Sequence, residues 1–421
     1  MAGEWKTVTL RDALGAKGYI RGPFGSALRR PELKSSGIPV YEQQHAITGT
    51  REFRFYIDEE KYSTLRRFAV QPNDLIVSCS GTLARVSMIR EEDPVGIISQ
   101  ALLILRPDTS VVWPKYLYYF MSSKRGYDSL VGVSTGSVQV NIAGRSVIEQ
   151  TELPLPPLPH QRAIACILGA LDDKIELNRR MNETLEQIAQ AIFKIWFIEP
   201  TKNGKLPEGW REGKISDICS TQYGFTASAT DKPIGPYFLR VTDINKQNWI
   251  NWTNVPHCSI SNEDKQKYKL HVGDILVARM ADPGKSAIVE QEVDAVFASY
   301  LVRLKTKSLA HAYYLFYFLK SPVYLNYSEA ARSGSVQANM NAKVIVDASL
   351  PIPSSILIEG FFAKVLPIRK RIIYNLTQSA TLAALRDTLL PKLLSGELRV
   401  PDAEKICARG ASALGGMERC V

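Results

Sequence analysis

The side chains best suited to chemistry are scattered through this sequence. Asp282-Pro-Gly-Lys-Ser286 carries the Gly-Lys-Ser end of a phosphate-binding loop. The full motif needs a glycine five residues before Gly284, and Arg279 stands there, so the segment reads as a basic turn suited to a DNA phosphate. Glu59-Glu60-Lys61 is a Glu-x-Lys triplet without the upstream acidic partner of nuclease order. The five histidines (His45, His160, His257, His271, His311) form no recognisable ligand pair. Six cysteines are widely spaced with no Cys-x-x-Cys pair, which points to inert thiols instead of a zinc site or disulfide framework. The Pro-Pro-aromatic tetrapeptide and Gly-rich loop of an amino-methyltransferase are missing as well. The sequence therefore predicts no catalytic residue and no metal site, and a chain that binds no cofactor of its own.

What remains is charge. Lys and Arg outnumber Asp and Glu by 52 to 42, a formal net charge of +10. An excess of this size favours polyanions through counterion release, although a basic surface serving only solubility is the alternative. The longest apolar run, Ala312 to Leu319, is far short of the ~20 residues a spanning helix needs. The N-terminal segment has no apolar stretch of the secretory kind. The expectation is a cytoplasmic chain without a membrane segment.

The elements that must position any site come in two copies. Trp5-Lys6 with Leu10-Arg-Asp12 resembles Trp210-Arg211 with Ile215-Ser-Asp217, at an offset of 205 residues. Asp74-Leu-Ile-Val77 matches Asp274-Ile-Leu-Val277, and Ser99 to Leu103 matches Ser299 to Val302, both at 200. Tyr116 to Ser123 returns as Tyr314 to Ser321 and Gly136-Ser-Val-Gln139 as Gly334-Ser-Val-Gln337, at 198, then Leu153-Pro-Leu-Pro156 as Leu350-Pro-Ile-Pro353, at 197. A collinear series with so little drift marks a duplicated unit. Ile38–Tyr41, Asp74–Ser78 and Ala101–Leu105 read as strands, as do Tyr237–Val241, Asp274–Ala278 and Tyr300–Leu304. Pro114–Ser123 reads as a short helix, and the Pro-rich passage 153–159 as an extended connector.

Each copy is followed by a helical stretch. After Ile164, apolar positions recur at Leu168, Leu171, Ile175, Leu185 and Ile192, with Asn178 and Asn182 interrupting the stripe. The faces between carry Asp172, Glu176, Arg179, Glu183 and Glu186 and read as solvated. The second stretch gives Ile368, Ile372, Asn375, Leu382 and Leu389, with Arg386 breaking the stripe beside Leu385, and Pro367 marking a start or kink. A buried Asn fixes register at a cost in stability. The pattern predicts two helices joined in an antiparallel coiled coil; core helices of a globular domain are the alternative. A helix over 161–198 would span about 57 Å at ~1.5 Å per residue, enough for a spacer. The fold class is α+β, with two similar α/β domains over 1–158 and 201–355. They are separated by helices over 159–200 and 356–400, with a disordered tail over 401–421.

These features resemble the specificity subunits of type I restriction-modification enzymes, the HsdS family. The likeness rests on Leu155-Pro-Pro-Leu-Pro-His-Gln-Arg162, Ala191-Ile-Phe-Lys-Ile-Trp-Phe197, the repeated Gly-Ser-Val-Gln and Leu385-Arg-Asp-Thr-Leu-Leu-Pro-Lys-Leu-Leu-Ser-Gly-Glu-Leu398. The resemblance implies that each globular unit is a target recognition domain reading one half of a bipartite site in double-stranded DNA. It implies docking to two methyltransferase subunits that use S-adenosylmethionine, and to motor-nuclease (restriction) subunits that use ATP and Mg. The Pro-Ser-Ser-Ile stretch after Ile352 departs from the Pro-His-Gln-Arg of the first copy. Base edges are read by Arg, Gln and Asn, whereas phosphate contacts only position. The candidates are Gln43, Gln44, Thr82 and Arg85 in the first copy and Arg240, Thr242, Arg279 and Lys285 in the second. Gln139 and Gln337 recur in both, which favours a shared backbone role. Two other classes are a duplicated protein-interaction scaffold and a stand-alone methyltransferase that binds S-adenosylmethionine.

Overall fold

A computed structural model describes residues 5–132, 141–244, 247–333 and 339–400. The chain divides into two compact units that do not follow the linear boundaries expected from the sequence. One comprises residues 1–173 with 382–421, the other residues 174–381. Each unit therefore takes part of both long helices.

In the first unit, β1 (Lys6–Thr9), β2 (Tyr19–Arg21), β3 (Ile38–Tyr41), α1 (Gln43–Thr48) and β4 (Tyr56–Ile57) are followed by β5 (Leu75–Ser78), β6 (Val86–Met88), β7 (Ile97–Ile98) and β8 (Leu102–Leu105). Strands β2-β8-β5-β6 form an antiparallel sheet, while β3 pairs β4 antiparallel and β7 in parallel. Every residue of β5 and β8 is buried, as a continuous apolar run implies. Side chains alternate across the sheet. Leu75, Val77, Leu103 and Leu105 face a core shared with α2 (Pro114–Ser122) and with Ala163, Ile164, Leu168, Leu393 and Leu394 of the long helices. Ile76, Leu102 and Ile104 face Val40, Phe68, Ile97 and Ile98 on the other side. The Pro-rich passage is not a free connector: β9 (Glu152–Leu155) pairs antiparallel with β1, and its backbone carbonyl at Pro154 accepts the Tyr116 hydroxyl at 2.7 Å.

The second unit repeats this plan. After α3 (Leu158–Phe193) come β10 (Arg211–Lys214), β11 (Cys219–Tyr223), β12 (Tyr237–Leu239), α4 (Val241–Ile244), β13 (Ile275–Ala278), β14 (Ser286–Ile288), β15 (Ala295–Phe297), β16 (Leu301–Thr306), α5 (Leu309–Leu319) and β17 (Ser349–Ile352). The sheet order is β11-β16-β13-β14, β12 pairs β15 in parallel, and β10 pairs β17. The expected strand 237–241 stops at Leu239 because Arg240 caps α4 through its backbone N–H to Asp243 at 2.9 Å. Both sheets are held at one edge by the same device. The carboxylates of Asp74 and Asp274 accept the backbone N–H of Gln71 and His271. An arginine clamps each: Arg106 on Asp74 and the Ala69 carbonyl, Arg303 on Asp274 and the Lys269 carbonyl. The arginines are not equivalent in sequence, since Leu105 and Leu304 hold the same place opposite β5 and β13. Arg106 follows one and Arg303 precedes the other, two positions apart on one face of the strand.

The long helices α3 and α6 (Ser355–Ser395) run antiparallel. Within the second unit, Asn178 reaches Gln378 Oε1 (2.9 Å) and Ser379 Oγ (3.2 Å), and Asn375 donates to Asn182 Oδ1 (2.8 Å). Glu186 meets Arg369 further along. Within the first unit, Arg386 pairs Asp172 at 2.7 Å. Residue numbers rise on one helix as they fall on the other. Asn178, Asn182 and Asn375 are buried, in keeping with a polar register contact. Leu168 and Ile372 are buried too, while Leu171, Ile175, Leu185, Ile192, Ile368, Leu382 and Leu389 are half-buried.

Three details depart from the heptad reading. Past Asn182 the buried face moves one position along, to Glu186, Phe193 and Phe197, while Leu185 and Ile192 are half-buried. A straight α-helix drifts against a seven-residue repeat, and here it drifts into a globular core instead of supercoiling. Glu186, expected on the solvated face, is thus buried. Leu385 is exposed, and Arg386 occupies the stripe by pairing with Asp172. Finally, α6 passes straight through Pro367. That residue is exposed, as is Ala363, whose carbonyl loses its helical partner to solvent, while Val365, Arg369 and Ile372 stay buried beside it.

Arg369 is the largest fully buried charge. It binds the carboxylates of Glu186 and Glu290, themselves bonded by Tyr317 Oη (3.2 Å) and Tyr313 Oη (2.8 Å). Removing one partner of such a network leaves a desolvated charge behind. Arg369→Ala is expected to cost about 3–5 kcal/mol, read as a lower denaturation midpoint in urea, whereas Arg179→Ala on the exposed face of α3 should leave the midpoint within about 0.5 kcal/mol.

Candidate nucleic-acid interface

In both units the strand pair carrying the Asp clamp ends in one type of turn. In the first unit Ser78 N–H bonds the Arg85 carbonyl (2.9 Å) and Ala84 N–H the Ser78 carbonyl (2.8 Å). In the second, Ala278 N–H bonds the Lys285 carbonyl (2.8 Å) and Gly284 N–H the Ala278 carbonyl (3.0 Å). Two residues in each turn take left-handed conformations: Gly81 (φ 58°) and Ala84 (φ 56°), then Ala281 (φ 64°) and Gly284 (φ 90°). The frame is the same with glycine and alanine exchanged between the two places. It projects Thr82 and Arg85 into solvent from one turn and Lys285 from the other. The Gly-Lys-Ser segment is thus a hairpin turn, with Gly284 serving its backbone shape.

The second shared feature is the start of the helix after the parallel strand. Glu42 and Arg240 hold equivalent cap positions with opposite charge. Glu42 receives Arg54 through two bonds of 2.7 Å, and Arg240 grips Asp243 through two of 3.0 Å. Gln43 ties this helix to the turn: its amide nitrogen donates to the Ser80 carbonyl and its oxygen accepts the Ser80 hydroxyl at 3.0 Å. Gln44 is exposed, and so is Thr242 at the corresponding place. Gln43 and Gln44 line a cleft of about 430 Å³ together with Arg30, Arg54, Ser99 and Gln100. Sequence reasoning passed over Arg30, Arg54 and Gln100. In the second unit the backbone places Ser299 where Gln100 stands and Tyr300 where Ala101 stands, so the frame is shared and the side chains differ. In the second unit, the Arg279 guanidinium lies 5.1 Å from the Tyr223 ring centre, with its Nε buried. Gln139 and Gln337 fall outside the described residues, as does the tail 401–421.

His45 closes the cap of α1 from within. Its Nδ1 accepts the Glu42 N–H at 2.7 Å and its Nε2 lies 2.9 Å from the Glu52 carbonyl, so the ring is neutral with its proton on Nε2. Burial pushes its pKa below the ordinary histidine value, against smaller opposing effects of the bond to Glu52.

The sequence motifs serve structure at the opposite side of each sheet. Gln161 of the Pro-His-Gln-Arg motif is buried, accepts the Trp113 N–H (2.7 Å) and donates to the Pro156 carbonyl (2.8 Å), locking helix α3 to its unit. In the second copy Ile358 takes that place by packing alone. Phe193 stacks on Tyr317 and lies tilted to Tyr314, and Phe197 meets Tyr314 and Phe361 edge to face. Gly396 turns the chain after α6 at φ 77° where a side chain would press on Trp5 at 3.3 Å. Among the described residues, no cluster of three or more His, Cys, Asp or Glu could hold a metal, and no helix is long and apolar enough to cross a membrane.

Two copies of one α+β lobe, each seated on an antiparallel helix pair and each offering a basic turn and a helix start, define a tandem recognition protein. The model for the type I restriction modification DNA specificity domain matches residues 4–187 and 207–356, and the chain belongs to this family, with two such domains. The type I restriction enzyme MjaIX specificity subunit of Methanocaldococcus jannaschii is 27% identical over 367 residues, covering 79% of this chain and 81% of its own. The EcoBI specificity subunit of Escherichia coli is 26% identical over 438 residues, covering 92% and 89%. The solved type I restriction-modification S subunit from M. genitalium shares the fold with a TM-score of 0.54 at 15% identity, over 94% of this chain and 97% of that one. The chain is a specificity subunit of the type I kind, the recognition component and not the catalytic one.

The cap at His45 generates a pH test. Unfolded histidine takes up a proton near pH 6.5, while the folded ring resists it. The contribution of His45 is complete above that pH and falls as pH drops below it, with a slope of at most ~1.4 kcal/mol per pH unit. Urea midpoints between pH 7.5 and 5.5 should show this decline. His45→Asn, which keeps an acceptor for the Glu42 N–H, should flatten it.

Proposed function

We propose that each unit reads one half of a bipartite, asymmetric target in double-stranded DNA, while two methyltransferase subunits and the motor-nuclease subunits assemble on this chain. On this reading S-adenosylmethionine, ATP and Mg act on those partners and none is bound here. The observation that carries the proposal is the pairing of one backbone frame with different exposed side chains. Gln44 corresponds to Thr242 and Arg85 to Lys285, on turns that share two backbone hydrogen bonds and helix starts that share one. A shared frame presents side chains to the duplex in the same way twice, and different side chains then select different bases. The net charge of +10 supplies the nonspecific attraction. Arg240, held by Asp243, is suited to orienting the helix start, and Arg85 and Lys285 to phosphate or base edges.

A protection assay with the full chain and its methyltransferase partner should show two separated half-sites; one contiguous footprint would count against the reading. Gln44→Ala should relax preference at a base in one half-site by about 1–3 kcal/mol and leave the other unchanged, with Thr242→Ala affecting the opposite half. Lys285→Ala, as a phosphate contact, should lower affinity for all sequences and reduce the salt slope by about one.

A further inference from the structure

Each unit has an ionic contact between the two long helices, and its charges are inverted from one unit to the other. In the second unit Arg369 of α6 sits between Glu290, at the end of β14, and Glu186 of α3. In the first unit, Asp172 of α3 pairs Arg386 of α6, and Arg90, just past β6, is exposed and pairs Glu92 at 3.7 Å. Arg90 and Glu290 are equivalent, each following a residue (Ile89, Val289) whose N–H bonds the carbonyl of the clamped Asp. Asp172 and Arg369 lie 197 residues apart and are equivalent on the helix that follows each lobe, while Glu186 and Arg386, on the helix arriving from the other repeat, lie 200 apart, one helical turn off that register. The tyrosine between them keeps its role: Tyr119 Oη donates to Asp172 (2.6 Å) and Tyr317 Oη to Glu186 (3.2 Å). Lobe, own helix and arriving helix thus read plus, minus, plus in one unit and minus, plus, minus in the other.

The inversion separates charge by helix. Helix α3 contributes only acids to these positions, Asp172 and Glu186, and α6 only arginines, Arg369 and Arg386. Repeat symmetry puts Asp172 of one α3 where Arg369 now stands against Glu186, and Arg369 of one α6 where Asp172 now stands against Arg386. Two α3 helices brought together would therefore set Asp172 against Glu186 twice, and two α6 helices would set Arg369 against Arg386 twice. At the second unit's site these groups are excluded from water, where an unpaired or like-paired charge is most costly. We propose that the inverted clusters are a pairing code: they make the helix of the first repeat select that of the second and reject another copy of itself. The code keeps two different lobes on one helix pair and stops chains from exchanging or duplicating halves. It does not depend on what the lobes bind.

The tether between the repeats would mask this preference by raising the local concentration of the correct partner, so the test removes it after folding. A protease site is placed in the exposed 203–206 segment of the full chain, and the folded protein is cut, denatured and refolded. The pairs present are then counted by native mass spectrometry. Wild type is expected to return the mixed pair, with like-half pairs below about a tenth of it. The variant Arg90→Glu/Asp172→Arg/Arg386→Asp, at a half-exposed site, gives the first unit the signs of the second and makes like-half pairs charge-complementary. It should raise their share about tenfold or more. Like-half pairs already abundant in wild type would overturn the proposal, and so would a variant that refolds to the mixed pair alone. Should that variant fail to refold, Glu186→Arg/Glu290→Arg/Arg369→Glu makes the complementary change and is judged by the same two outcomes.

Discussion

A helix of 36 or 41 residues with one apolar stripe has no stable place in water until the stripe is covered. Here each stripe is covered twice, by the facing helix and by the sheet and short helix of a lobe. The first unit's core is completed by Leu393 and Leu394 from the far end of the sequence, and the second unit's by Phe193 and Phe197 from the helix that leaves the first lobe. Neither core can be filled by its own repeat. The buried Arg369, with two carboxylates and two tyrosines around it, is the polar counterpart of the same constraint. It fastens lobe, own helix and arriving helix at one point, and it tolerates burial only because every partner is present.

Because packing fixes both faces of each sheet, the turns and helix starts at its end are the parts free to differ. The Asp74 and Asp274 clamps keep the strand edges in register, and the turns that follow hold the same two left-handed positions. Residues whose roles are internal to that frame, such as Gln43, are bonded back to the protein. Those at the outer positions, Gln44, Thr242, Arg85 and Lys285, point outward. On the proposed reading, sequence preference changes at these exposed places without disturbing the body of the lobe.

The duplication was legible because Asp-Leu-Ile-Val, Tyr-Leu-Tyr-Tyr-Phe and Leu-Pro-Leu-Pro are core segments, and core packing tolerates little variation. The central strands and the asparagine register of the helices were legible for the same reason. The fate of Glu186 was not, since its partner Arg369 lies 183 residues away and a lone glutamate on a helix ordinarily faces solvent. Pro367 misled because local propensity argues for a break, and only the packing on either side carries the helix through. The Pro-rich passage before α3 looked like a linker, since nothing local reveals that β1, nearly 150 residues earlier, waits to pair with it. At the candidate cleft, Gln43 and Gln44 were visible as adjacent amides, but Arg30, Arg54 and Gln100 join them only through folding of three separate segments.

The allocation of segments also imposes an order on biosynthesis. Residues 174–381 form an unbroken stretch, so that unit has all its parts once the ribosome has delivered them. The other unit joins residues 1–173 to residues 382–421 and must wait for the last turns of α6 to emerge. During that interval Leu168 and the sheet face above it lack the leucines that seal them, and apolar surface stays open to water. The lobe made first is the one finished last.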